Sequence, residues 1–299
     1  MHILVLGASG MLGHKILMKL AGKHELAGTV RTIRDSLKNT LCKLKDISII
    51  EGVDAFDFKT VRTAIETFKP DAVINCVGIV KQLDAAKDRY TSIAINAFLP
   101  HQLEKLSAEK NFRLIHFSTD CVFSGIKGPY SEENQSDVHD LYGQTKYLGE
   151  VSGAKSLTLR TSIIGREINP PYTGLIEWFL AQDGKAANGF TGALYTGLTT
   201  NAMADLVDAI LTKNPGLRGL YHVSADAINK HDLLAIVRDI YGLKIDLKPD
   251  DLFHCDRRLD STRFRTETGW APMGWAEMIK AMHDEDKILY GMEGHRNCT

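Results

Sequence analysis

Residues 2–13 read HILVLGASGMLG, and this stretch decides the fold. HILVL is a short apolar run of strand length, and the segment from about Met11 onward takes up helical periodicity. Between them lies GASGMLG, Gly7 to Gly13, with three glycines in seven residues. Glycine at such a strand-to-helix turn lets the backbone bend tightly and approach a pyrophosphate, whose charge is held at the helix N-terminus. A GxxGxxG by itself is weak evidence, but placed between a strand and a helix it points to a dinucleotide site. Gly7, Ser9, Gly10, Met11, Leu12 and Gly13 are therefore expected to hold the cofactor.

Outward from this loop the pattern repeats. ELAGTVR, SIIEGVD, DAVINCVG and RLIHFSTD read as further strands, and KILMKLAGK, FKTVRTAIETFK and AFLPHQLEKLSAEK as helices between strands. Alternating β and α elements imply a parallel sheet with helices on both faces. LTLRTSIIG adds a strand after a helix over 142–153, and GLYHVSA another after the helical GLTTNAMADLVDAILTK. LIEWFLAQ reads as a short amphipathic helix in which Trp178 packs inward, HDLLAIVRDIYG and WAEMIKAMH as helices, and DDLFHCDRRLDSTRF as a polar stretch. The expected fold is α/β, a Rossmann-type doubly wound parallel sheet with a smaller discontinuous C-terminal α/β substrate lobe. Residues 1–165 and about 196–226 form the nucleotide domain, and about 166–195 with 227–299 the lobe.

The 299 residues carry a formal net charge of −1, and 44% are hydrophobic, which suits a globular chain with a large core. Near-neutral charge argues against a nucleic-acid or membrane-surface binder. No apolar run approaches the roughly 20 residues that span a bilayer, and MHILVLG opens a strand with no basic n-region. Cys42, Cys76, Cys121, Cys255 and Cys298 form no CxxC pair, an arrangement of reducing compartments, and Cys76 sits in an apolar run as a buried thiol. A cytoplasmic protein is expected. The histidines show no paired-ligand spacing, so no metal site is expected.

Two further segments carry chemistry. GTVRTIR ends the second strand with Arg31, and Arg34 a turn later, where an NAD site would place an acid for the ribose hydroxyl. A cation there suits a 2′-phosphate, favouring NADPH over NADH. Asp54 follows the third strand and either meets the adenine or caps the next helix. HFSTDCVFSG places Ser118, Thr119 and Asp120 at the carboxyl edge of the sheet, where open α/β folds bind ligands. Downstream, DLYGQTKYLGE puts Tyr142 and Lys146 one helical turn apart. A lysine beside a phenol favours its ionised form and lowers its pKa, which suits acid–base work near neutrality. In HCDRRLD, Arg257 and Arg258 are candidates for a substrate diphosphate. Tyr195, in FTGALYTG, is a candidate to flank a sugar or base.

GASGMLG, NCVGIV, STDCVFSG, Tyr142-x-x-x-Lys146 and LRTS together resemble the extended short-chain dehydrogenase/reductases, nearest to the dTDP-4-dehydrorhamnose reductase (RmlD-like) group. The resemblance extends to RRLDSTRF and TGWAP near the C-terminus. It implies that Tyr142 protonates a sugar ketone oxygen, Thr119 hydrogen-bonds that carbonyl, and Lys146 holds the nicotinamide ribose. It further implies that Val77 and Gly78 line the cofactor cleft, that Thr161 and Ser162 lie near the nicotinamide, and that Asn96 supports the lysine's proton path or packs the helix. Ser118 and Asp120 are expected to meet the substrate. Cys121 stands where many members have Tyr, and where dehydratases have Glu, which argues against water elimination. Ile163 stands where rhamnose-pathway reductases often have Trp.

The expectation is NADPH-dependent reduction of a nucleotide-activated 4-keto-6-deoxy sugar for bacterial surface polysaccharide synthesis, with a homodimer compatible with it. Two alternatives stay open: a nucleotide-sugar epimerase with permanently bound NAD, and a non-catalytic dinucleotide-binding regulatory subunit.

Overall fold

Seven strands pair in parallel in the order β10-β6-β5-β4-β1-β2-β3 in the computed structural model, which describes residues 1–41, 47–82 and 84–290. In chain order the strands of this sheet are β1 (His2–Leu6), β2 (Glu25–Thr29), β3 (Ile47–Ile50), β4 (Ala72–Asn75), β5 (Arg113–Thr119), β6 (Ser156–Thr161) and β10 (Gly219–His222). Helices α1 (Gly13–Leu20), α2 (Asp35–Leu41), α3 (Phe58–Phe68), α4 (Arg89–Ser92), α5 (Leu99–Lys110) and α6 (Leu141–Leu148) connect the first six, and α8 (Thr200–Lys213) precedes β10. A π-helical turn over Ile93–Phe98 joins α4 to α5. The strand order reverses at β1, which places the crevice for a ligand beside the glycine loop. Cys42 and Cys298 lie outside the described residues.

Period-two alternation in β1 explains how the layers are glued. Ile3 and Val5 point to one face and pack with Ile16, Leu17 and Leu20 of α1 and Met203 and Val207 of α8. Leu4 and Leu6 point to the other and pack with Val61 and Ile65 of α3 and Leu103 and Leu106 of α5. A strand apolar on both faces has to be covered on both, which is why β1 reads as a continuous apolar run.

A second sheet of order β11-β8-β12 stands apart from the first, built from β8 (Ala186–Tyr195), β11 (Ile228–Asn229) and β12 (Asp246–Asp256). α7 (Leu175–Leu180), α9 (Lys230–Tyr241), α10 (Thr262–Thr268) and α11 (Trp275–Tyr290) complete this region, and β7 (Ile163–Ile164) pairs with β9 (Leu198–Thr199). Two readings from the sequence need correction. The polar stretch read from DDLFHCD is an edge strand: most of its side chains are exposed, so charge replaces the apolar alternation and also guards a free edge. Trp178 is 42% exposed, not packed inward, because Ile176, Phe179 and Leu180 take the buried face of the short α7. No helix among the described residues is long and apolar enough to cross a membrane.

Candidate functional site

The glycine loop is built as the spacing predicts. Gly7 has φ +79°, a conformation side-chain-bearing residues avoid, and Gly10 N donates to Gly7 O at 3.0 Å. A Cβ at Gly13 would come 2.2 Å from Gly7 O, so only glycine lets the helix begin this close to the turn. A cleft of about 400 Å³ opens over the loop and the carboxyl ends of the strands. Gly7, Ser9, Gly10, Arg31, Asp54, Val77 and Gly78 line it, and so do Phe56 and Ile79, which the sequence did not single out. Met11, Leu12 and Gly13 sit behind this lining; the Leu12 side chain is buried in the core. These features fit a dinucleotide: a positive-φ turn, backbone exposed by glycine and a cation at the ribose end.

Asp54 does not cap a helix. Its Oδ1 accepts from Phe56 N at 3.0 Å in a local turn, while Asp57 caps α3 by accepting from Lys59 N. Asn96 is engaged twice by one residue, accepting from Ile79 N at 2.9 Å and donating to Ile79 O at 3.0 Å. It thereby ties the π-helical turn to the floor of the cleft. Thr161 and Ser162 do not line the cleft: Thr161 is buried, and Ser162 O accepts from Leu198 N.

The second half of the site forms where α6 meets the end of β5. Thr119 Oγ1 donates to Asp120 Oδ1 at 3.1 Å and accepts from Cys121 N at 3.1 Å, which starts a tight turn. Gly143 allows α6 to rest on that turn, since a Cβ there would lie 2.2 Å from Cys121 O. Asp140 caps α6 by accepting from Gly143 N at 2.9 Å. Tyr142 is thus held against the turn, within hydrogen-bonding reach of Thr119.

Here the geometry alters the expected electrostatics. Burial pushes the Tyr142 phenol up, helped by Cys121 and Asp120, and Lys146 is not among the main influences on it. The Lys146 ammonium instead donates to Phe117 O at 2.7 Å, and burial lowers it to about 8 against the pull of Glu150. In this structure the lysine's amine is turned along the helix toward the strand, and burial is the first influence on the phenol. The phenol is therefore protonated at neutral pH, the form that donates a proton.

Ser118 is directed away from Thr119, as successive strand residues must be. Its hydroxyl donates to Glu150 Oε1 at 2.7 Å, so it does not face the substrate side as expected. Glu150 also takes a two-point bond from Arg160, Nε–Oε1 and Nη2–Oε2 both at 2.7 Å. Arg258 is likewise spent, bound through Nε and Nη2 to the carboxylate of Asp256 at 2.9 and 2.7 Å. Of the arginine pair only Arg257 reaches the site, donating to Phe123 O at 2.9 Å and to Cys121 Sγ at 3.3 Å.

Asp120 is buried, which raises its carboxyl, while Arg257 and then Lys230 draw it back down. Lys230 went unnoticed in the sequence, where a lysine at a helix start carries no signal. Its Nζ lies 3.8 Å from the centroid of the Tyr195 ring, which is itself buried and packed against Trp275 at 5.4 Å. Tyr195 therefore presents its face to Lys230. Burial pushes the Cys121 thiol up to about 12, which keeps it protonated at neutral pH.

Comparison with known proteins agrees with this architecture. The family model described as the RmlD substrate binding domain matches residues 1–287. The chain is 28% identical over 242 residues to a dTDP-4-dehydrorhamnose reductase of Mycolicibacterium smegmatis, covering 77% of this chain and 66% of that protein. It is 24% identical over 258 residues to methionine adenosyltransferase 2 subunit beta of Danio rerio, covering 81% and 74%. The crystal structure of a dTDP-4-dehydrorhamnose reductase from Bacillus anthracis in complex with NADP superposes with a TM-score of 0.76 at 18% identity, over 95% of this chain and 99% of that one. With the glycine loop and the Thr119–Tyr142 pair on one sheet edge, the chain belongs to the RmlD-like extended short-chain dehydrogenase/reductases.

Proposed function

We propose that this protein reduces the keto group of a nucleotide-activated 4-keto-6-deoxy sugar, with NADPH preferred and NADH as a weaker substitute. The observation that carries the reading is the Tyr142 phenol, protonated, held beside Thr119 at the carboxyl edge of the sheet next to the glycine-loop cleft. Gly7, Ser9, Gly10, Arg31, Val77 and Gly78 would hold the cofactor, which when bound supplies a hydride. The chain's own part is acid catalysis and orientation: Thr119 fixes the ketone oxygen, and Tyr142 gives it a proton as negative charge develops there. Lys146, one helical turn along, keeps its amine on Phe117 O.

The reading includes the two-part organisation expected from the sequence, 1–165 with about 196–226 for the nucleotide and the remainder for the sugar, supported by the separate β11-β8-β12 sheet. It includes a cytoplasmic homodimer serving surface polysaccharide synthesis. Loss of NADPH absorbance with dTDP-4-keto-6-deoxyglucose, against the UDP- and GDP-linked analogues, tests it; no consumption with any of them rejects it. A second reading, a cofactor-binding regulatory subunit, draws support from the likeness to methionine adenosyltransferase 2 subunit beta. NADPH binding without turnover on that panel would favour it.

A further inference from the structure

The small sheet delivers two cations to one place. Leu194 of β8 pairs with Asn229 of β11 on one side and with Asp256 of β12 on the other. β12 runs parallel to β8, so Arg257 and Tyr195 follow the Leu194–Asp256 pair to the same end of the sheet. β11 runs antiparallel, and Lys230, just past its end, reaches back with its side chain to place Nζ 3.8 Å from the Tyr195 ring centroid. That end faces the Thr119–Asp120–Cys121 turn, since Arg257 donates to Cys121 and both cations act on Asp120. Arg257 has its hydrogen bonds in place. Lys230 does not: its ammonium rests on the Tyr195 ring and has no hydrogen-bond acceptor among the described residues.

A partly buried ammonium without an acceptor is costly unless something else completes it. Burial lowers its pKa, and Asp120 and Cys121 hold it up. The missing partner has to be an oxygen acceptor that arrives from solution. A diphosphate would answer the two cations but bring no donor to the Asp120 carboxylate, on which both act. A sugar hydroxyl suits the pair, because it accepts from the ammonium while donating to the carboxylate. Asp120 directly follows Thr119, so that hydroxyl lies next to the carbon that Thr119 and Tyr142 address.

We propose that Lys230 is a substrate-positioning residue, pairing with Asp120 to grip a ring hydroxyl adjacent to the reacting carbonyl of the sugar. The inference rests on the sugar-nucleotide reading above. It assigns sugar specificity to the interface of the two sheets and leaves the nucleotide to other contacts.

The test compares dTDP-glucose with dTDP by calorimetry on NADPH-loaded protein, which needs no turnover. Wild-type protein should bind dTDP-glucose about tenfold more tightly than dTDP, and Lys230→Met should erase that advantage while leaving dTDP and NADPH affinities within about twofold. Lys230→Arg should restore part of it. With dTDP-4-keto-6-deoxyglucose, K230M should raise KM about tenfold or more while kcat changes less. An advantage retained in K230M overturns the proposal, and so does an equal loss for dTDP, which would place the ammonium on the diphosphate. No advantage in the wild type overturns it as well. If wild-type protein shows the binding advantage but no turnover, the reductase reading fails and the grip on the sugar stands.

Discussion

At the scale of the residue, Tyr142 is a phenol that burial holds in its proton-bearing form. Replacing it with Phe should lower kcat by about 100-fold or more while NADPH affinity, read by fluorescence titration, stays unchanged. Arg31 lines the cleft at the end of the second strand. Arg31→Ala should raise the KM for NADPH roughly tenfold and leave that for NADH nearly unmoved, in steady-state kinetics with each cofactor. Lys146 shows how burial reaches stability. Its ammonium titrates near 10.5 when unfolded and about 8 when folded, so the folded state disfavours the charge. Below pH 8 both states are charged and the whole penalty is felt; it fades as pH rises from 8 to 10.5. Lys146→Met should therefore stabilise the fold at pH 7 by up to about 3 kcal/mol, less about 1 kcal/mol for the lost Phe117 hydrogen bond. Urea denaturation at pH 7 and again above pH 10 reads this, and a gain that does not shrink at the higher pH refutes it.

At the scale of the element, the glycine loop and the start of α9 carry the site. Gly13 touches Gly7 O so closely that any Cβ must push the helix back from the turn. Gly13→Ala should weaken NADPH binding about tenfold or more in titration while circular dichroism reports a retained fold. Much at this scale was readable from residues alone. The seven strands of the main sheet carry apolar runs, and the helices between them carry the 3.6-residue period, so both declare themselves locally. The long β8 and β12 did not. β12 is an exposed edge strand and loses the alternation that marks a half-buried one, while β8 alternates in burial but does so largely with Ala, Asn, Gly and Thr, which give a weak strand signal.

At the scale of the whole molecule, α11 is fastened to α1 and α8, which cover the main sheet, through buried charge. Glu285 faces Lys15 of α1 at 3.3 Å and accepts from Asn201 of α8. Its neighbour Asp286 accepts from Arg166 at 2.9 Å and from Tyr241 of α9 at 2.7 Å, and Arg166 reaches Glu177 of α7 at 3.0 Å. Lys15 is fully buried, so burial lowers it and Glu285 is the first group that holds it charged. Glu285→Gln should destabilise the protein by about 3 kcal/mol or more in urea, since it leaves a buried ammonium without its carboxylate.

What the sequence determined by itself is the part whose physics is local. The strand–glycine–helix junction, the alternation of elements, the Tyr142–Lys146 spacing and Thr119 at a strand end each follow from neighbours a few positions away. Tertiary structure alone decided which polar groups face each other. It turned Lys146 toward Phe117 rather than the phenol, spent Ser118 on Glu150 and Arg258 on Asp256, and set Lys230 over Tyr195 opposite Asp120. The reason is that a side chain's partner is fixed by strand register and helix packing between distant segments, and no local pattern of residues records that distance.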